Sequence, residues 1–283
     1  MAIGKKMKML FIGDIVGKLG RRTVAQVLPD LRRKEGIEFV LAQAENVTHG
    51  RGAKLEHLRE LMKAGVDFFT AGPHIFYLDP EEPFSDPTVP IIRSYNLPPS
   101  APGLGFKVVT VEGRKIAILS LLGLGSLGEE LGEDERNRRW LNGEVANPFE
   151  AAPIALGEIS SFSPDLILVD FHAEWTSEKR ALGFFLDGKV SVLAGTHQHV
   201  PSADPVILPK GTAYVTDLGM VGARDSVLGV EAEIIISRLA SGNPLPFKWV
   251  ERGPAVFNSV LVEVGSTGPV SFIKRIDLEV RLD

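Results

Sequence analysis

The stretch MKMLFIGDIVG, residues 7–17, points to the fold: a short apolar run from Met7 to Ile12 breaks off at a Gly-Asp pair. Beyond it Val24, Val27, Leu28 and Leu31 recur at helical spacing up to Gly36, so the order is strand, loop, helix. Pro29 falls inside that helix and predicts a kink, because proline lacks the N–H the helical ladder uses. Outward from here the pattern repeats. Phe39 to Ala42 is a second apolar run. Leu55, Leu58, Leu61 and Met62 form a second amphipathic helix stopped by Gly65, and Val66 to Phe69 supplies a third strand. Such alternation predicts an α/β layer structure with strands buried on both faces.

Residues 79–105 are rich in proline and poor in periodicity, and read as an ordered surface loop. Asp79, Glu81, Glu82 and Asp86 within it read as a solvated acidic face. Phe106 to Val111 and Lys115 to Leu121 flank Glu-Gly-Arg and predict a hairpin. Residues 125–147 are acidic, then basic, and Gly-rich, which predicts a surface excursion and a candidate lid. Helix resumes near Phe149, and Leu166 to Val169 and Val190 to Ala194 are further buried strands. After Ala213 the chain is mostly strand-like and adds antiparallel structure. No repeat or linker divides it, so residues 7–283 are expected to form a single domain behind an extension at residues 1–6.

A net charge of −5 over 283 residues argues against a protein that coats nucleic acid, since phosphate backbones are held by clustered Lys and Arg. The absence of cysteine removes disulfides, thiolate nucleophiles and Cys-based metal sites together. The amino-terminal apolar run is cut short by Asp14, unlike that of a signal peptide. No run elsewhere approaches the roughly 18 residues of a membrane span. A cytoplasmic protein without membrane partners is the expectation.

Polar groups of one chemical kind gather at the strand ends. Gly13-Asp14, Glu45-Asn46 and His74 follow the first three strands; Asp170-Phe171-His172 and Gly195-Thr196-His197-Gln198-His199 close two later ones. Carboxyl ends of strands in an open α/β sheet share one edge, where ligands bind. Singly, an Asp after a strand is an ordinary turn or cap residue, and His57 in the second helix reads as solvated surface. His197 and His199 differ: imidazoles at i and i+2 of an extended backbone point the same way, and a metal or phosphate would account for the pair. Carboxylates, an amide and imidazoles without thiolates suit Mn²⁺, Fe or Zn²⁺ rather than Ca²⁺. Two such ions bridged by one carboxylate could clamp a phosphoryl group, which implies an anionic substrate. Other motifs fail: GDIVGKLG lacks the Gly-Lys-Ser/Thr of a P-loop and does not match GxGxxG, and no GxSxG elbow is present.

The ordered set GDIVG, ENVTHG, GPH, DFHAEWTSEK, GTHQHV and LPKGTAYVTDLGM resembles the YmdB-like branch of the calcineurin-like metallophosphoesterases. The resemblance runs from about Met7 to the C-terminus, leaving out most of residues 125–147. It implies a four-layer α/β/β/α sandwich, a homo-oligomer, and a dinuclear metal site. The implied activity is hydrolysis of 2',3'-cyclic nucleotides or other small phosphodiesters by a metal-bound hydroxide. By motif, Asp14 and His199 would hold the first metal, with Asn46 near it or near the substrate. Glu45 would bridge, and His172 and His197 would hold the second. His74 would sit beside the leaving oxygen as general acid or phosphate donor.

One position departs from the family. Gly-Pro-His stands here where the family has Gly-Asn-His, whose Asn gives its side-chain oxygen to the second metal. Pro73 has no such oxygen, which leaves Glu45, His172 and His197, and three protein ligands can suffice for a catalytic metal. Three readings follow: an active enzyme with a looser second metal, a one-metal protein, and a nucleotide- or phosphate-binding regulatory protein that has lost its chemistry. The first is favoured.

Overall fold

The computed structural model describes residues 6–79, 81–125, 145–242, 245–265 and 269–282. Two sheets are stacked between two layers of helices. The first half of the chain contributes β1 (Met7–Ile12), β2 (Asp14–Ile15), α1 (Gly17–Glu35), β3 (Phe39–Gln43), α2 (Leu55–Lys63), β4 (Phe68–Ala71) and β5 (Ile91–Arg93). Then come the hairpin β6 (Phe106–Val111) and β7 (Arg114–Leu122), α3 (Pro148–Ser160), β8 (Leu166–His172), α4 (Thr176–Leu186) and β9 (Val192–Thr196). The last part holds β10 (Val206–Ile207), β11 (Ala213–Val215), β12 (Met220–Ala223), α5 (Ala232–Ser241), β13 (Gly253–Val264) and β14 (Val270–Leu282). The first sheet is eight-stranded, ordered β2-β12-β13-β1-β3-β4-β5, with β14 along β13; the second is six-stranded, ordered β10-β11-β9-β8-β7-β6.

Side-chain alternation along the strands makes the four layers. In β1, Met9 and Phe11 face inward and meet Ile116, Ile118, Leu166 and Val192 of the other sheet, while Leu10 and Ile12 face outward onto Val24, Leu28, Leu58 and Leu61 of α1 and α2. The second sheet does the same, with Leu119, Val169 and Leu193 packed against Ala152, Ile159, Leu182 and Leu186 of α3 and α4. Successive residues of a strand point to opposite faces, so continuous apolar runs are what strands buried on both sides require. The four-layer α/β/β/α sandwich is therefore the fold. Among the described residues no helix is long and apolar enough to cross a membrane.

α1 runs on through Pro29; Pro29 and Ala25 are both exposed, so the carbonyl that loses its partner is open to water. Several expectations need correction. Residues 79–105 are not all loop, since β5 pairs in parallel with β4 and closes the edge of the first sheet. Its short apolar run follows Pro90 and shows no period of its own. The acidic face there is partly structural: Glu82 accepts the Leu55 N–H at 3.1 Å, at the start of α2, and Asp86 pairs with Arg59. His57 is not solvated, for its side chain is 15% exposed and its Nδ1 lies 2.6 Å from the Thr48 hydroxyl. The Ile234-Ile235-Ile236 run lies on α5, within the region read as mostly strand, although no residue of that helix is buried. Of the candidate lid at residues 125–147, residues 126–144 lie outside the described residues.

One buried ion pair ties the second sheet to the loop after β9. Lys179 of α4 and Asp217 meet at 2.6 Å with both side chains fully buried. Lys179 also donates to the Thr196 carbonyl at 2.7 Å, and Asp217 accepts the backbone N–H groups of Gln198 and Gly219 at 3.0 and 2.8 Å. Replacing Lys179 by Met would leave the carboxylate buried without its cation. Lys179→Met is expected to lower the unfolding free energy by about 3–5 kcal/mol, measurable by chemical denaturation.

Candidate active site

The carboxyl ends of strands from both sheets converge. β1, β3 and β4 run parallel and carry Asp14, Glu45, Asn46 and His74 just beyond their ends. β8 and β9, also parallel, bring His172, His197 and His199 from the other sheet. All seven sequence candidates meet at this junction, which spans the two sheets.

Glu45 is its centre. Oε2 accepts the His74 backbone N–H at 2.9 Å, and Oε1 lies 3.1 Å from His172 Nε2 and 3.3 Å from His74 Nδ1. Burial opposes its ionisation, yet His172 and His74 hold its carboxyl well below the usual range. His172 is equally buried. Thr196 Oγ1 donates to Asp170 Oδ1 at 2.7 Å and so accepts from His172 Nδ1 at 2.9 Å, which turns Nε2 toward Glu45. Burial disfavours a charged His172, but Glu45 beside it raises the imidazole to about 9. Carboxylate–hydroxyl–imidazole relays of this kind orient histidine ligands of metals.

Asp14 is fully buried; Oδ2 accepts the His197 N–H at 3.1 Å and Oδ1 is 3.6 Å from His199 Nε2. Burial raises and His199 lowers its carboxyl, with a net depression. Asn46 links the halves, its Oδ1 at 2.9 Å from His74 Nδ1 and its Nδ2 at 3.3 Å from His199 Nε2. Burial, and then His172 nearby, push His197 down to about 3, so it is the neutral imidazole a metal takes.

His197 and His199 do not sit on extended backbone as expected. β9 ends at Thr196, and their φ values are 100° and 62°, in the left-handed region that side chains seldom adopt. Such outliers persist where surrounding bonds enforce them and cluster at functional sites; here Asp14 and Asp217 accept the N–H groups of residues 197 and 198. The rings part company. His197 packs edge-on to His172 at 4.8 Å between centroids, whereas His199 turns toward Asp14 and Asn46.

The donor set fits divalent metal ions. One ligand atom each from Glu45, His172 and His197 lie within 4.8 Å of one another. Among the described residues Asp14 Oδ1, His172 Nε2 and His199 Nδ1 are buried without a hydrogen-bond partner, a costly arrangement that a coordinated cation would relieve at the first two.

Pro73 opens a short 3₁₀ turn, Pro73–Phe76, and is buried. At the first position of a turn the missing N–H costs nothing, and the turn aims the His74 N–H at Glu45. Gly72 before it is obligatory: an added Cβ would fall 2.5 Å from both Glu45 Oε2 and His172 Nε2. Sequence reasoning missed Glu174, whose Oε2 stands 3.0 Å from His197 Nε2. Its signal was position alone, two residues after His172. It also missed Lys179, Asp217 and Thr196, whose burial no local pattern reveals.

The sequence model of YmdB-like proteins matches residues 10–276. The 2',3'-cyclic-nucleotide 2'-phosphodiesterase of Bacillus subtilis (strain 168) is 36% identical over 258 residues, 91% of either chain. Among solved structures, a phosphatase from Mycoplasma pneumoniae superposes with a TM-score of 0.86 at 34% identity, covering 98% of this chain and 95% of that one. A hypothetical protein from Thermus thermophilus gives 0.83 at 35% identity, covering 96% and 99%.

Gly72→Ala is expected to push Glu45 and His172 apart and abolish Mn²⁺ binding at that position. Calorimetric titration of the folded variant should show at least one Mn²⁺ fewer per chain than the wild type.

Proposed function

The chain belongs to the YmdB-like protein family, and on that premise we propose that it is a metal-dependent phosphodiesterase acting on 2',3'-cyclic nucleotides. The observation that carries this reading is the convergence of seven residues from two sheets, with Glu45, Asn46, His74, His197 and His199 on the wall of one cavity and Asp14 and His172 buried behind them, and with buried polar atoms left unpartnered among them. Asp14 and His199, with Asn46 beside them, would hold one divalent ion. His172 and His197 would hold a second, and Glu45 would be shared; Mn²⁺ or Fe suits the donors best, and Zn²⁺ is compatible. Bound there, the ions would supply Lewis acidity and neutralise charge on the phosphoryl oxygens.

The chain's own groups do the rest. His74 lines the cavity and its Nδ1–H is donated to Asn46 Oδ1, so it is the imidazolium form, with its second proton on Nε2, that would give that proton to the departing ribose oxygen. Glu45 accepts the His74 N–H and keeps the ring at that station. Cleavage at the 2' oxygen, the bond named for the Bacillus subtilis relative, would leave a nucleoside 3'-monophosphate. Glu174 lies 3.0 Å from His197 but outside the group of Glu45, His172 and His197, so those three protein donors would serve that ion, a number sufficient for a catalytic metal. That favours catalysis over the regulatory reading, which rests on Pro73 alone.

Hydrolysis of 2',3'-cyclic AMP with Mn²⁺ is expected from the wild type, with Pro73→Asn within about tenfold of it, the lower range for changes around a metal's ligands. His74→Ala should lower kcat by about 10²–10⁴, the usual share of a general acid. Turnover by Pro73→Asn alone would replace the enzyme with a binding protein whose chemistry Pro73 has removed.

A further inference from the structure

The cavity beside His74, Glu45 and His199 has a volume of about 700 Å³ and extends to Arg51, Val227, Leu228, Phe247 and Trp249. None of these side chains belongs to the cluster that could hold a metal. Leu228 is 44% and Phe247 37% exposed, so large apolar groups are left open to water at the rim of a polar site. Exposed apolar surface in that position marks a ligand groove.

The aromatic wall is built deliberately. Gly50, in the loop that follows Glu45 and Asn46, has φ +74°, and a Cβ there would fall 2.3 Å from the six-membered ring of Trp249. Only glycine lets the indole lie against that backbone. Backbone bonds from Glu231 N–H to the Lys248 carbonyl and from Val250 N–H to the Gly229 carbonyl, both 2.9 Å, fix the segment that carries it. Phe247 stands edge-on to Trp249 with centroids 6.2 Å apart. The Arg51 guanidinium lies 5.3 Å over the Phe247 ring and 5.5 Å over that of Tyr77. Among the described residues its N–H donors meet no acceptor, so a forked set of up to five donors is held in place and unspent.

We propose that this chamber is a nucleobase subsite: the base of a nucleoside cyclic phosphate lies against Trp249, braced by Phe247, whose own ring is occupied by Arg51 and, at 4.6 Å, by Arg238, and Arg51 donates to acceptors on the base's edge. Every base has a π-face to stack, and ring nitrogens and carbonyls are the acceptors a guanidinium reads. The inference rests on the phosphodiesterase reading for where the phosphoryl group lies, and it names the residues that would hold the base of that nucleotide.

The test compares 2',3'-cyclic AMP with glycerol 1,2-cyclic phosphate, which has the same five-membered cyclic diester and no base, using the whole Mn²⁺-loaded protein. The wild type should prefer the nucleotide in kcat/KM. Trp249→Ala should cut that preference about tenfold or more through KM, as loss of one stacking partner does. Trp249→Phe, which keeps a π-face, should restore most of it. A preference that Trp249→Ala does not change overturns the subsite, as does equal use of the two substrates by the wild type. If neither substrate turns over, the phosphodiesterase reading has failed, and AMP binding to the metal-free protein decides the subsite separately. Quenching of indole fluorescence in the wild type that is absent from Trp249→Phe supports it, and no quenching overturns it.

Discussion

A buried carboxylate between two sheets organises this molecule. Glu45 leaves the end of one sheet and meets His172, which belongs to the other, at 3.1 Å. A charge with 1% exposure is tolerable only when surrounded by donors, and Glu45 has the His74 N–H, the Asn46 amide and two imidazoles around it. The sandwich must therefore close with its strand ends in register, or this charge is stranded. Packing density in the core and electrostatics at the rim impose the same geometry.

Strain is stored next to that charge. The loop after β9 holds two histidines at positive φ, and the bonds that keep them there come from Asp14 of the first sheet and from the buried Asp217–Lys179 pair under the second. Rigid strands deliver the donors, and buried ion pairs set the loop angles. The wider cavity, by contrast, is walled by apolar and aromatic side chains from the last third of the chain together with Arg51. Polar junction and apolar chamber thus meet in one cavity, and the last third of the chain supplies both His197 and His199 of the one and Trp249 of the other.

Much of this was legible before any coordinates. Apolar runs that stop at Gly-Asp, Glu-Asn and Asp-Phe-His announced strands with functional ends, because a strand buried on both faces can carry polar groups only where it emerges. What was misread were features that depend on long-range partners. β5 is a strand because β4 lies beside it. His57 is half-buried because Thr48 comes back to meet it. Lys179 looks like any surface lysine in a helix until Asp217 faces it.

The sequence by itself determined the alternation of layers, the chemical kind of the site and the identity of its seven candidate donors, because burial pattern and residue type are local properties of the chain. Tertiary structure alone decided that two sheets rather than one supply those donors. It also parted His197 and His199 into different neighbourhoods and set Trp249 against Gly50 beside them. Those outcomes depend on distances between residues far apart in the chain, and spacing along a chain does not encode distance across a fold.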